Sequence, residues 1–492
     1  MTKETDKMIQ KPATRKSNPR EVAMDILTRV EEDKSYSNLL VNKALQKAGM
    51  ERADSALTTE LVYGTIQRLN TIDHYLGRFA AKGLDKLQPW VRNLLRLSFY
   101  QLYYLQRIPP HAAVNEAVNL AKKRGHQGIS GMVNGILRNV LRQKETLTLP
   151  AGLNPVQRIA LGHSHPEWLV ARWVRAYGAD LAERMCAANN EPPHASVRVN
   201  AMRRTRGELL ERMRGDGVTV RPSLLAPAGL VAEGAGNLAH SAWYAAGELS
   251  VQDESSMLVG EVVAPEPRMR VLDCCAAPGG KTAHMAERMA GHGTITACDV
   301  HEHKRQLIVD QAERLGLTDC VRPVVADARK LSGLYPPESF DRILLDAPCS
   351  GLGVIRRKPD LKWAKEELEI ADIATLQKEL LEAVHKLLKP GGVLVYSTCT
   401  TEREENQAQV EAFLREHQEF SLEPFPESPL ETGMQTDAAD KDAISTARRD
   451  QTRKEAEGGM VQILPCDWGT DGFFIARLHK SGQPAAEMGS DV

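Results

Sequence analysis

The chain has little of what stitches small secreted proteins or zinc modules together. Eight cysteines occur among 492 residues, none before Cys186, and no two form a CxxC pair. That excludes a disulfide framework and a zinc site of that spacing, and it favours a reducing cytosol. Long apolar runs are also missing, none approaching the ~18 residues that span a bilayer. The opening MTKETDKMIQKPATRKS is polar and basic, without the apolar segment of a secretion signal. Two nucleotide-binding fingerprints are absent as well. No GxGxxG occurs, and Gly280-Lys281-Thr282 has Cys275 where a phosphate-binding loop requires glycine.

What is present is ordinary in bulk and uneven in charge. A hydrophobic share of 42% and a charged share of 26% are those of a globular protein. The length suggests about three domains at roughly 150 residues each. The formal charge is −1, yet residues 1–150 hold 24 Lys/Arg against 14 Asp/Glu, leaving 39 against 50 for the rest. A basic lobe on a mildly acidic body suits a polyanionic partner. A solvated basic surface explains the charge equally well.

Residues 1–17 read as disordered. Asn18 is a helix N-cap with Pro19 at the first helical position, and Val22, Ile26, Leu27 and Val30 share one face. Helical segments follow near 37–48, 54–80, 88–106, 110–124 and 129–144, and nothing before 145 alternates like a strand. An all-α domain over 18–147 is expected. Its basic clusters, Lys122-Lys123-Arg124 and Arg138, Arg142 and Lys144, suit phosphate contacts. The stretch 148–257 is mixed, with helices over 169–177 and 179–189, a strand over 196–200, a basic helix over 205–215 and Pro/Gly-punctuated strands to 250. It reads as a linker and RNA-recognition subdomain. The pairs His163/His165 and His301/His303 have no accompanying ligand set, so they read as surface or capping histidines and no metal is expected.

From 258 to 480 strands and helices alternate, which gives a mainly parallel, doubly wound α/β sheet. Four strands run into an acid: Asp273, Asp299, Asp327 and Asp346. A fifth runs into Ser397-Thr398-Cys399. Ligands of such sheets sit at the carboxyl edge. The turn after the first strand, DCCAAPGGKT (273–282), joins a strand to a helix through two glycines, which let a ligand approach the backbone. Cys275, Ala276, Ala277, Pro278, Gly279, Gly280 and Lys281 are therefore candidate cofactor contacts. On shape, S-adenosylmethionine suits the Pro-Gly-Gly turn. Asp299 is placed for the ribose hydroxyls and Asp327 for the adenine amino group. Helix capping is the bland reading of each acid. Asp346-Ala347-Pro348-Cys349-Ser350-Gly351-Leu352-Gly353 then sets a carboxylate and a thiol on a tight turn, and Cys399 sets a second thiol on the neighbouring strand. Cys186, Cys298, Cys320 and Cys466 read as buried small hydrophobes.

These motifs, DxCAAPGGKT, DAPCSGxG and STCT in that order, with GELSVQDESSM (247–257) before them, resemble the Sun/Fmu (RsmB) branch of the Nop2/Sun family of RNA cytosine-C5 methyltransferases. The similarity runs from about 18 to 480, and the helical domain is similar to the antitermination factor NusB. The resemblance implies a Rossmann-like class I methyltransferase domain after a NusB-like RNA-binding domain. It implies methyl transfer from S-adenosyl-L-methionine to C5 of a cytosine in small-subunit rRNA, cytosine 967 of 16S rRNA by family custom. The sequence itself carries no signal for that position. C5 is a poor nucleophile, so a thiolate must first add to C6, and a free cysteine needs a positive neighbour or a base to supply one. The resemblance makes Cys399 the nucleophile, Cys349 the aid to product release, and Asp346 the holder of the N3/N4 edge, adding to its cofactor contact. On the residues alone the two thiols stay interchangeable, because DNA cytosine methyltransferases attack with a Pro-Cys thiol, as at Cys349. Lys281 fixes the cofactor or the acid, or is merely solvated.

Residues 425–459 are rich in Glu, Asp, Ser, Thr and Ala without apolar periodicity and read as a disordered insertion, and 481–492 as a disordered tail. The expected partner is small-subunit rRNA, with neither membrane nor metal, and the chain is expected to be a cytoplasmic monomer. A non-catalytic ribosome-assembly factor and a tRNA cytosine-C5 methyltransferase are the alternatives.

Overall fold

The computed structural model describes residues 17–33, 36–426 and 443–482. They form two compact units. One comprises residues up to Val170 with Lys358–Asp360, the other Ala171–Arg357 with Leu361 onward.

The first unit is helical and, among the described residues, contains no strand. Its helices span Pro19–Asp33, Ser37–Ala48, Arg52–Gln67, Leu69–Gly77, Pro89–Tyr104, Pro110–Arg124 and Gln127–Gln143. Asn18 caps the first, its Oδ1 accepting the Arg20 N–H at 2.9 Å. The single helix expected over 54–80 is two, broken at Arg68, whose φ of −107° and ψ of 13° leave the helical region. Tyr100 packs where Gly64 lacks a side chain, a Cβ there lying 2.0 Å from Tyr100 Cζ. A further helix, Pro155–Gly162, opens with a capping box between Asn154 and Gln157. The unit therefore runs past 147.

The second unit holds two sheets. The smaller is antiparallel, with β1 (Ala195–Val199), β2 (Thr219–Pro222), β3 (Gly229–Glu233) and β4 (Leu249–Val251) in the order β2-β3-β1-β4. The helix Arg206–Gly215, capped by Thr205 and Glu208, closes its core through Leu209 and Met213 against Val197, Leu230 and Leu249.

The larger sheet contains β5 (Arg270–Asp273), β6 (Thr294–Asp299), β7 (Val321–Val325), β8 (Phe340–Asp346), β9 (Leu388–Thr398), β10 (Phe420–Leu422), β11 (Met460–Ile463) and β12 (Phe473–Lys480). Its order is β10-β12-β9-β8-β5-β6-β7, with β11 on β12. Strands β5 to β9 pair in parallel, and β12 runs antiparallel to β9. This is a Rossmann-like mixed sheet. Val271, Leu344 and Val395 pack into one layer, while Leu272, Leu345 and Tyr396 pack into the other. Successive side chains thus face opposite sides, and both sides are covered. Strand order reverses at β5, flanked by β6 and β8, which opens a crevice at the carboxyl ends.

The expectation of a disordered insertion over 425–459 needs correction. Phe425 is buried, and a helix spans Ala443–Glu457 before β11. It is anchored by Thr452 and Ala456, both buried, and by Arg448 paired with Asp467 at 2.9 Å. Two small residues and an ion pair leave no apolar stripe for a periodicity argument to detect. Residues 427–442 lie outside the described ones, as do the expected disordered ends apart from Ser17, Ser481 and Gly482.

Arg198 ties the small sheet to the helix Gly280–Arg288. Fully buried on β1, it donates to Glu287 at 2.8 and 3.0 Å, to the Gly280 carbonyl at 2.9 Å, and to Gln252. Removing one partner of a buried pair strands the other charge. Arg198→Met is expected to cost about 3–5 kcal/mol of stability, read as a lower urea midpoint at unchanged slope. A midpoint equal to that of the wild type would show that the pair does not hold the sheets together.

Candidate active site

Strands β8 and β9 are parallel neighbours with Asp346 opposite Ser397. The loops that follow them emerge side by side, and they carry the two thiols into contact: Cys349 Sγ and Cys399 Sγ are 3.3 Å apart. Backbone bonds fix the second loop. Gly353 N–H donates to the Cys399 carbonyl at 3.0 Å, and Gly472 N–H to the Gly353 carbonyl at 2.8 Å. Gly353 must be glycine for this, since a Cβ there would lie 2.0 Å from the Gly472 carbonyl oxygen.

The thiols are electrically unlike. Cys349 is held well above the ordinary cysteine value, first by its sulfur–sulfur contact with Cys399 and then by partial burial. Cys399 is drawn below that value, first by the same contact and also by the Lys281 charge, against the opposing pull of burial and Asp346. The contact and the nearby Lys281 charge favour a thiolate at Cys399 over one at Cys349.

Lys281 is committed, not solvated. Its Nζ lies 2.8 Å from Asp346 Oδ2, and Ser397 donates to Asp346 Oδ1 at 2.8 Å. Burial alone would push the ammonium down, but Asp346 carries it above the ordinary lysine value. Asp273, at the foot of the glycine turn, accepts from Thr282 at 2.6 Å and is pushed up to about 7, chiefly by burial.

A cavity of about 380 Å³ opens at the sheet's carboxyl edge. Cys275, Ala277, Asp299, Asp327 and Asp346 line it, with Pro348 beside them. Ala276, Pro278, Gly279 and Gly280 are not among its lining residues. They shape the turn, where Gly279 takes a φ of 102° that only glycine adopts readily. Asp299 accepts the His301 N–H on Oδ1 at 3.0 Å and has no hydrogen-bond partner on Oδ2 among the described residues. A carboxylate oxygen is thus available to a diol. Asp327 is already engaged: it caps the turn at Ala328–Gly333, accepting the Arg329 N–H at 3.0 Å, and pairs with the Arg329 guanidinium at 2.8 Å, which holds it below the usual carboxylate range. The capping reading describes Asp327 as it stands. Size, apolar walls and an available acid fit an adenosine-bearing cofactor.

The chain is 43% identical to "Probable ribosomal RNA small subunit methyltransferase B" of Bacillus subtilis (strain 168), over 95% of this chain and the whole of that one. It belongs to the RsmB/F family of 16S rRNA methyltransferases. The model of that family, "16S rRNA methyltransferase RsmB/F", matches residues 261–479. The NusB family matches 17–142, and an RsmF/B-like ferredoxin-like domain matches 165–239. A Salmonella typhi "Ribosomal RNA small subunit methyltransferase B" is 37% identical over 80% of this chain and 89% of its own. The crystal structure of PH0851 superposes with a TM-score of 0.75 at 28% identity, covering 94% of this chain and 99% of that chain.

Sequence reasoning missed a half-buried ionic clamp. Arg357 bridges Asp253 at 2.7 Å and Asp471 at 2.9 Å. Burial and Asp253 push Asp471 up to about 7. Asp253 also caps the helix Glu254–Val263. The partners are 104 and 114 residues from Arg357 in sequence, so no local spacing announces them. Glu405, fully buried, was missed too. It accepts the Ser350 N–H at 2.8 Å behind Cys349. His165, expected to be a surface or capping histidine, is buried, with Nδ1 2.9 Å from the His163 carbonyl. Among the described residues one grouping, Glu382, His385 and His417, brings metal-type donors within 4.8 Å of one another. It rests on the helical layer and on the bond between His417 and Glu382 at 2.9 Å.

Asp273 keeps its proton to about pH 7 in the folded chain, against roughly 4 when unfolded. Between those limits the folded state binds more protons, so this contribution to stability is complete below about pH 4 and is lost as pH rises to about 7. Unfolding free energies of wild type and Asp273→Asn from pH 4 to 7 should diverge by up to about 1.4 kcal/mol per pH unit, the wild type losing ground as pH rises. Parallel curves would contradict the assignment.

Proposed function

We propose that the chain methylates C5 of a cytosine in small-subunit rRNA, with S-adenosyl-L-methionine as donor and a covalent Cys399–C6 adduct on the way. The observation that carries this reading is the thiol pair, 3.3 Å apart, beside the Lys281–Asp346 ion pair. Family membership and the names of the curated relatives support the rRNA substrate. The order of the acids along the sheet edge supports the donor.

Once its proton has left to water, Cys399 Sγ adds as a thiolate to C6, forming the S–C6 bond while the C5=C6 π pair moves onto C5. Asp346 accepts from the exocyclic amino group and holds the ring while charge accumulates. Both its oxygens already accept one bond, and each retains a lone pair. Lys281 keeps this carboxylate charged and lowers the cost of a thiolate at Cys399. Cys275, Ala277 and Asp299 would hold S-adenosyl-L-methionine, which would supply an electrophilic methyl group at C5. The C5 proton then leaves to a base, its electron pair re-forms the C5=C6 bond, and Cys399 is expelled. Cys349 is the sulfur in reach of that breaking bond. In the helical unit, exposed Lys122, Arg138 and Arg142 suit backbone phosphates. Lys123 and Arg124 are paired with Glu21 and Asp25.

Bisulfite sequencing of rRNA from cells lacking the protein should show one small-subunit cytosine unprotected. A change confined to tRNA would make this a tRNA enzyme, and no change anywhere would make it a non-catalytic factor. With purified protein and an rRNA fragment, Cys349→Ala should accumulate a covalent RNA adduct and Cys399→Ala none; the reverse would exchange their roles.

A further inference from the structure

The residues on either side of each thiol are held by one short stretch of chain. A single helical turn, Arg403–Glu405, leads through Asn406 into the helix Gln407–Glu416. Its end is fixed to the sheet, because the Tyr396 hydroxyl donates to the Glu405 carbonyl at 2.6 Å. The Glu405 carboxylate is fully buried, and burial raises it above the usual carboxylate range. Its side-chain partners are uncharged donors on three separate segments: Ser350, Gln377 and Thr400. A buried acid held only by neutral groups is costly. What it offers in return is two acceptor oxygens, where an amide has one.

The two neighbours Glu405 and Asn406 divide the thiols between them. Glu405 Oε2 accepts the Ser350 N–H at 2.8 Å and Gln377 Nε2–H at 3.1 Å, and Gln377 Nε2 also donates to the Pro348 carbonyl at 2.9 Å. The residues immediately before and after Cys349 are thus tied to Glu405 and to Gln377, itself fully buried. Asn406 does the same for Cys399. Its Oδ1 accepts from Thr398 Oγ1 at 2.5 Å, and its Nδ2 donates to the Thr400 carbonyl at 3.0 Å. Cys399 has a further anchor in the Gly353 N–H that its carbonyl accepts. Ser350 Oγ and Thr400 Oγ1, 2.8 Å apart, join the two halves, and Thr400 Oγ1 donates to Glu405 Oε1 at 3.3 Å. Loss of the Glu405 carboxylate therefore frees the Cys349 loop, while the Cys399 strand end keeps its own supports.

We infer that Glu405 is a positioning residue for Cys349, holding that sulfur against Cys399 through Ser350 and Gln377 for the release of methylated RNA, while Asn406 holds the nucleophile. The inference rests on the thiol roles proposed above. It assigns the buried acid to one half of the reaction: methyl transfer needs Cys399 in place, and release needs Cys349 beside it. A misplacement of about 1 Å in a reacting group can cost about a hundredfold in rate.

The test uses the full-length protein, S-adenosylmethionine and an rRNA fragment that the wild type methylates, with Cys349→Ala as the reference. In Glu405→Ala, single-turnover methyl transfer should fall by no more than about threefold, while steady-state turnover drops about tenfold or more. A covalent RNA adduct should persist through denaturing electrophoresis, as in Cys349→Ala. Glu405→Gln keeps an acceptor toward Ser350 and should restore release, leaving no adduct. Asn406→Ala should instead slow the single turnover and leave no adduct. Gln377→Leu, which keeps the volume and removes the donors to Pro348 and Glu405, should also accumulate adduct, and it carries the test if Glu405→Ala does not fold. Release at the wild-type rate in Glu405→Ala and Gln377→Leu would overturn the inference. So would loss of single-turnover methylation without adduct in Glu405→Ala, which marks support of the whole site. Equal adduct in Glu405→Gln and Glu405→Ala would assign the effect to charge and overturn the positioning role. A Cys349→Ala reference that forms no adduct would sink the thiol roles themselves, a distinguishable failure.

Discussion

The pairing of β8 with β9 governs everything at the site. Parallel neighbours lie about 4.8 Å apart, and this register sets Asp346 against Ser397. Each strand therefore ends at the same height, and the loops that follow place one thiol against the other. A thiol in water is a weak nucleophile at neutral pH. Here a second sulfur lies 3.3 Å away and an ammonium is nearby, so a thiolate at Cys399 costs less than it would for an isolated thiol. Slipping the register by one residue would turn Asp346 to the opposite face of the sheet and disperse the group.

Around this centre the fold spends much of its buried polarity on holding loops still. Arg198 spans from the small antiparallel sheet to the glycine turn, Arg357 spans Asp253 and Asp471, and Glu405 braces Ser350. Arg198 and Glu405 are desolvated charges retained by several bonds, the condition under which such groups are tolerable inside a protein, while Arg357 is half-buried. Their common effect is to fix the two sheets and the reactive loops as one framework, which is what positioning a pyrimidine between two sulfurs demands.

Much of this was legible in the sequence because the information was local. The strand–Gly turn–helix at 273–282, the acids at strand ends and the alternation of strands and helices follow from periodicity and turn chemistry. So does the helical character of the first unit, through Asn18, Pro19 and the spaced apolar residues. What was not legible depended on distance or on small anchors. Lys281 looked equally suited to solvent because its partner, Asp346, lies 65 residues away. The 443–457 helix was hidden because Thr452, Ala456 and an ion pair hold it in place of an apolar stripe. Asp327 shows the converse limit. A strand-end acid matches both a ligand contact and a cap, and the neighbouring Arg329 is what engages it here.

The central claim is that Cys399, and not Cys349, bonds to the pyrimidine. An rRNA fragment carrying 5-fluorocytosine at the target position tests it with unaltered protein, because fluorine cannot leave C5 as the proton does and the adduct persists. Digestion of the trapped complex and mass analysis of the RNA-bearing peptide should place the modification on Cys399. A modification on Cys349, or turnover with no trapped peptide, would contradict the account.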